Sequence, residues 1–323
     1  MTAGHAAVVA VDVGSLSVKG MAASKGAAQR CIFPTRLAMG RRSVIGESDV
    51  HYASVNGDAV RVGDRPAMDG FVAAEIARAL SEKEALAALI VGAFSRLGLS
   101  ACDVLVLHAS APSMVLSPST VREVLSSATR ADNRSVEVGR IGIMASTDAL
   151  AADLLVDMRG EPAVKAAPPD GTISIVDAGA RQWRYSRFEL SGSGEETNGA
   201  VETEFWVERR AIEMIEQSFT TPVQGVAETM ASGISTSGSV ERDAAHIIDA
   251  ARLAAWSEFG AGFAAQALSD KARRVYVGGG NARAFSAGMA SYKHIDCRVA
   301  KQCETSIVRG LFKSGKRWGR AGL

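Results

Sequence analysis

The chain has 323 residues, 47% of them hydrophobic, enough for about two domains with substantial cores. Thirty-six basic residues face thirty-five acidic ones, and a net charge of +1 supplies no field that would draw in nucleic acid or a membrane directly, so any link to DNA is expected to be indirect. Cys31, Cys102, Cys297 and Cys303 match no zinc spacing; with no secretory signal and no apolar run long enough to span a bilayer, the expected compartment is the cytoplasm.

In chain order, Val8 to Lys19 reads as an apolar strand that delivers Asp12 into a Gly-Ser turn and returns as a second strand. Short extended pieces at 51–55 and 59–62 flank Asn56-Gly57-Asp58, a hairpin signal. Residues 71–80 are helical in pattern, and Ser81 with Glu84 forms a capping box opening a helix over 82–97 that stops at Gly98. Asp103 to His108 is a buried strand running into an Ala111-Pro112 loop. A helix is expected from Ser117-Pro118 to about Arg130, a strand over 135–144, and an amphipathic helix over 147–157. Residues 159–171 carry three of the eight prolines and read as an interdomain connection.

Beyond it, Ile173 to Gln182 repeats the opening grammar 165 positions later: strand, Asp177, Gly179, return strand. A Gly/Ser/Glu-rich turn (191–198), a helix over 201–219, a polar loop over 231–239 and a long helix over 240–269 follow. Arg274 to Gly280 is a short strand ending in three glycines before a helix opened by Asn281; a strand over 292–299, a helix over 306–312 and a solvated basic tail complete the reading. Two Asp-turn hairpins suggest two similar half-domains facing one ligand, since turn glycines and serines let backbone N–H groups approach phosphate oxygens. From the residues alone a second reading stays open, in which Asp12 and Asp177 bond their own turns, Lys19 is a solvated strand lysine and the triple glycine is a plain turn.

The series DxGSxSxK (12–19), DxG (177–179) and VGGG (277–280) resembles the two phosphate motifs and the adenosine motif of the actin-like ATPase superfamily, and the compact length resembles bacterial actins of the ParM/StbA plasmid-segregation type. The resemblance implies an α/β, actin-like (ribonuclease H-like) fold of two related domains with a nucleotide cleft between them. Domain I would cover 1–165, with a small insertion at about 31–70 and a C-terminal helix (about 303–323) packing back on it, and domain II 166–302. It implies ATP or GTP with Mg²⁺ as cofactors. Gly14, Ser15, Ser17, Lys19, Gly179 and Arg181 would meet phosphates, Asp12 and Asp177 would orient the hydrated metal, and Gly278, Gly279, Gly280 and Asn281 would meet the adenosine side. Asp177 and Asp148 are the candidate catalytic carboxylates.

Two departures from the pattern stand out. After Gly179 the chain reads Ala180, Arg181, Gln182 and Trp183 where small hydroxyl residues and an acid are usual, and after Met144 it reads Ala145, Ser146, Thr147, Asp148 where a glutamate is usual. The expected function is a nucleotide-dependent filament former that associates with itself and moves plasmid or other mobile DNA through an adaptor protein, without direct membrane contact. A nucleotide-sensing scaffold with little turnover and a small-molecule kinase of the same superfamily are the alternatives.

Overall fold

The computed structural model describes residues 4–24, 27–35, 37–39, 52–63, 80–110, 115–131, 133–163, 172–179, 182–189, 199–202, 204–220, 222–223, 225, 229, 234–237, 240–269 and 274–320. The chain divides into two compact units, Met1–Ala166 with Ile307–Leu323, and Ala167–Ser306. The expected helix over 71–79, the Ala111-Pro112 loop, Arg181, the 191–198 turn and most of the 159–171 connection lie outside the described residues.

In the first unit, β1 (Gly4–Val13), β2 (Ser17–Ser24) and β3 (Ala27–Pro34) form an antiparallel meander. Strand β4 (Leu37–Met39) pairs antiparallel with β6 (Asp58–Val62), which forms a hairpin with β5 (Tyr52–Val55). The turn of that hairpin holds Asn56 at φ 50° and Gly57 at φ 92°, two consecutive left-handed residues, which is why Asn-Gly stands there. Helix α1 (Glu82–Arg96) opens with the reciprocal Ser81–Glu84 capping box, and its Ile90, Val91 and Phe94 are wholly buried. Hydrogen bonds from Ser81 hold the Glu84 carboxyl below its ordinary pKa. Strand β7 (Leu99–Ala109) lies parallel to β1, and β9 (Glu137–Ile143) lies parallel to β7, giving the order β3-β2-β1-β7-β9.

Between them, α2 (Pro118–Ser126) is shorter than expected. It ends because Ala128–Arg130 becomes β8, an edge strand paired with β5. Helix α3 (Ser146–Leu155) completes the N-terminal part of the unit.

The second unit repeats the sheet. Strands β10 (Thr172–Ala178), β11 (Gln182–Glu189) and β12 (Gly199–Glu202) form the meander. Strand β13 (Ile234–Ser237) forms a separate two-stranded hairpin with β14 (Val240–Asp243). Strands β15 (Arg274–Gly278) and β16 (Asp296–Val299) add in parallel to give β12-β11-β10-β15-β16. Both main sheets therefore run antiparallel, antiparallel, parallel, parallel from one edge to the other. Helix α4 (Glu204–Phe219) packs through Ala211 and Ile215 on α5 (Ala245–Ser269), and α6 (Ala282–Met289) lies against α5. Helix α5 starts at Ala245 because Val240–Asp243, read from sequence as its first turn, is spent on the β13/β14 hairpin.

The last helix, α7 (Ser306–Arg320), returns to the first unit and runs eight residues beyond the end at 312 read from the residue pattern alone. Its stretch 313–320 is thus ordered rather than a solvated tail. Lys313 is buried, with its Nζ 2.9 Å from Asp153 Oδ1 of α3, and Arg309 Nε lies 2.6 Å from the same carboxylate oxygen. A buried carboxylate held by two cations is costly to form but far costlier to break, so the triad fixes where α7 sits. Glycines permit the approach: a Cβ at Gly310 would fall 1.7 Å from the Ala149 carbonyl oxygen, and one at Gly315 would fall 2.5 Å from Val8 Cγ1. Among the described residues no helix is long and apolar enough to cross a membrane.

Candidate functional site

The first Asp-turn sits at the carboxyl end of β1, the central strand of its sheet. Antiparallel register sets Asp12 opposite Lys19, and the Lys19 Nζ donates to Asp12 Oδ2 at 3.2 Å with both side chains largely buried. Lys19 is therefore paired, not a solvated strand lysine. Between them the turn is closed by Gly14 N–H donating to the Ser17 carbonyl at 3.1 Å. Thr35 ties the same turn from β3's end, its N–H donating to the Leu16 carbonyl at 2.9 Å and its Oγ1 to the Gly14 carbonyl at 2.7 Å. With the Gly14, Leu16 and Ser17 carbonyls all engaged, the turn offers its amide and hydroxyl edge, which suits an anion.

Parallel register places His108 of β7 on the other side of Asp12. His108 is buried, with Nδ1 3.1 Å from the Met144 carbonyl and Nε2 3.5 Å from Ser110 Oγ. It thus links the ends of β7 and β9 beside the turn. In the sequence it stands only as the last residue of the 103–108 strand; its place at the end of a buried strand parallel to the Asp12 strand is the signal that identifies it. Asp148 lies two residues past the start of α3, half-buried, in the first helical turn. That position gives it the ordinary role of offsetting the helix dipole.

In the second unit, Asp177 is likewise buried at the end of its central strand, between Arg184 of β11 in antiparallel register and Gly278 of β15 in parallel register. Arg184 escaped the sequence reading. It follows Asp177 by seven positions as Lys19 follows Asp12, so the hairpin spacing itself carries the signal. Trp183 is packed inward, 5.4 Å from Tyr185, 5.5 Å from Phe263 and 5.9 Å from Phe285 between ring centroids. It anchors the return strand to α5 and α6.

The three glycines differ. Gly278 is a buried strand residue; Gly279 turns the chain at φ +93°, where a Cβ would lie 2.5 Å from the Ala178 carbonyl and 2.7 Å from Asp177 Oδ1; a Cβ on Gly280 would meet nothing within 4 Å. The close packing at Gly279 is thus against the Asp177 hairpin, while Gly280 is the position open to an approaching ligand. Asn281 does not cap α6 with its side chain as expected. Its Nδ2 donates to the Gly179 carbonyl and its backbone N–H to the Ala178 carbonyl at 3.0 Å, so it buttresses the second Asp-turn. Gly279 N–H donates to the Cys303 carbonyl at 3.0 Å.

The residues fit a nucleotide and Mg²⁺ in their donor chemistry. The first turn keeps carboxylate, amides, hydroxyls and lysine, and among the described residues no group of three or more His, Cys, Asp or Glu forms a protein cage for a metal. Mg²⁺ that keeps its waters and takes phosphate oxygens needs only such isolated carboxylates.

No protein-family model matches the sequence, and no curated protein matches it. Solved structures do match the fold. Ta0583, an archaeal actin homolog, superposes with a TM-score of 0.66 at 14% identity over 96% of this chain and 99% of its own. A non-polymerisable quadruple mutant of pCBH ParM gives 0.61 at 14% over 97% and 100%. A Bacillus thuringiensis ParM hybrid with ADP, containing two ParM mutants, gives 0.61 at 14% identity over 95% of this chain, which spans about half (48%) of that one. The fold is the two-domain, actin-like fold that these structures share.

Proposed function

We propose that the chain is a cytoplasmic, nucleotide-dependent actin-like protein that assembles head to tail into filaments and segregates plasmid or other mobile DNA through an adaptor. The observation that carries this reading is the first turn, which pairs an actin-like fold with an intact Asp12, Gly14, Ser15, Ser17 and Lys19 set whose Gly14, Leu16 and Ser17 carbonyls are engaged within the protein. In this reading the amides that follow Gly14 in the turn and the Ser15 and Ser17 hydroxyls bind phosphate oxygens, while the Gly14 N–H closes the turn. Lys19 trades part of its Asp12 contact for phosphate charge. Asp12 and Asp177 orient metal-bound waters, Gly279 holds its turn clear, and Gly280 lets the backbone lie against the nucleotide. ATP or GTP with Mg²⁺ supplies the charge-laden group whose hydrolysis loosens the polymer. Like contacts that do not close between copies give filaments.

Light scattering and pelleting with Mg²⁺ and ATP, GTP or slowly hydrolysed analogues test the proposal. Nucleotide-dependent polymer is expected, and its absence under every nucleotide and salt condition overturns it.

A nucleotide-sensing scaffold with little turnover is favoured by one observation. Asp148, the carboxylate nearest the expected glutamate, sits in the first turn of α3 where it serves the helix dipole. Phosphate release that stays at background in the presence of polymer selects that second reading.

A further inference from the structure

Well away from the phosphate turn, the first unit carries a second concavity of about 520 Å³, floored by Val8 and Val104 of the central strands. Val8 precedes Gly14 by six residues of extended chain, roughly 20 Å along β1, so the two sites are separate. Arg140 of β9, Arg159 of the turn after α3, and Lys316 and Arg320 of α7 converge on this concavity. The lining includes one carboxylate, Asp103, and that lies 3.1 Å from His5 Nε2.

Specific contacts hold the 157–161 turn that carries Arg159 and place Arg320 and Lys316. Asp157 Oδ1 accepts the Arg159 N–H at 2.8 Å and the Glu161 N–H at 2.9 Å, and Gly160 at φ +85° closes the turn against the α7 backbone. These backbone donors and the nearby arginines hold the Asp157 carboxyl below its ordinary pKa, so it stays an anion bound to its own turn. Glu161 pairs with Arg320, and Lys316 lies over the Phe312 ring at 5.5 Å. With Arg320 held by Glu161, Arg140, Arg159 and Lys316 on three different elements surround an apolar floor of small-ligand volume and match a compact polyanion. Arginine forks favour phosphate over a diffuse negative surface.

We propose that this pocket binds a small ligand carrying two or more phosphate groups. The ligand's phosphates meet Arg140, Arg159 and Lys316, and its body lies on Val8 and Val104. Such a ligand ties α7 to the 157–161 turn and to β9, the three elements that supply the cations.

The probe is inorganic pyrophosphate, titrated calorimetrically without Mg²⁺ into the full chain carrying Asp12→Asn and Lys19→Met, which removes both charges of the phosphate turn together. One saturable site is expected there, with a dissociation constant raised at least tenfold by adding Arg159→Ala with Lys316→Ala, or by adding Arg140→Ala. Arg159 and Arg140 are exposed, so these variants are expected to keep the parent's circular dichroism melt. No saturable heat in the parent, or unchanged binding in both pocket variants, overturns the proposal. So does a hexaglutamate peptide that binds the pocket more tightly than pyrophosphate, which would make it a seat for an acidic protein segment. None of these outcomes depends on whether nucleotide binds at the Asp12 turn.

Discussion

Gly279 and Gly280 are neighbours with opposite reasons to be glycine, and alanine at each separates the stability of the second unit from ligand binding. At Gly279 an alanine must adopt φ +93°, which costs an L-residue about 1–2 kcal/mol. Its Cβ would also stand 2.5 Å from the Ala178 carbonyl, so that the hairpin must retreat by about 0.5 Å to reach the 3.0 Å floor of real contacts. Overpacking of that size costs about 1–3 kcal/mol, giving about 2–5 kcal/mol in all. At Gly280 a Cβ meets nothing, so Gly280→Ala is expected to leave stability within about 0.5 kcal/mol of the parent. If a nucleotide lies against that backbone, however, the same methyl weakens ATP binding at least tenfold. Urea unfolding read by tryptophan fluorescence gives the stabilities, and calorimetry gives the affinity. Gly280→Ala that binds ATP like the parent would refute the role given to this turn, and a stable Gly279→Ala would refute the packing argument.

The buried Asp153 carboxylate answers two cations, so Asp153→Ala removes the carboxylate that Arg309 and Lys313 share and is expected to cost about 3–5 kcal/mol in urea unfolding of the first unit. In α5, a Cβ at Gly260 would lie 1.8 Å from the Phe285 carbonyl while one at Gly262 meets nothing. Gly260→Ala is therefore expected to lower the melting temperature, and Gly262→Ala to raise stability by up to about 1 kcal/mol through helix propensity. Burial pushes the Cys31 thiol up to about 11 and Cys102 up to about 12. Because the folded thiols stay protonated above the unfolded value of 9.0, their stabilising contribution is whole below pH 9 and is lost between about 9 and 11–12. Native alkylation of either cysteine at pH 8 is expected to be at least ~100-fold slower than in urea.

Local chemistry carried much of the fold into the sequence. The Asn56-Gly57 turn, the Ser81–Glu84 box, the apolar β7 run and the two Asp hairpins each depend on residues within a few positions of one another, and each is found where the pattern placed it. The misread stretches depend on distant partners. Ala128–Arg130 has helical neighbours but a β5 partner more than seventy positions upstream. Val240–Asp243 belongs to a hairpin whose first strand sits in a polar loop without apolar alternation. Lys313 reads as a solvated lysine until Asp153 is seen across 160 residues. At the site, the placement of Asp12 opposite Lys19 follows from hairpin spacing, and the same spacing exposes Arg184. The inward turn of Asn281 toward the Gly179 carbonyl could not be read, because it depends on how β15 sits against β10.

The return of α7 to the first unit also sets an order of events during synthesis. Residues 307–320 leave the ribosome only after every residue of the second unit, so that unit can finish folding while the first still lacks the helix that covers Val8 and answers Asp153. A nascent chain stopped at residue 306 would carry the Asp12 turn on a sheet still uncovered by α7, with Asp153 lacking the Arg309 and Lys313 cations. Proteases and chaperones would meet that exposed face first. Docking of α7 is then the step that covers Val8 and gives Asp153 its cations.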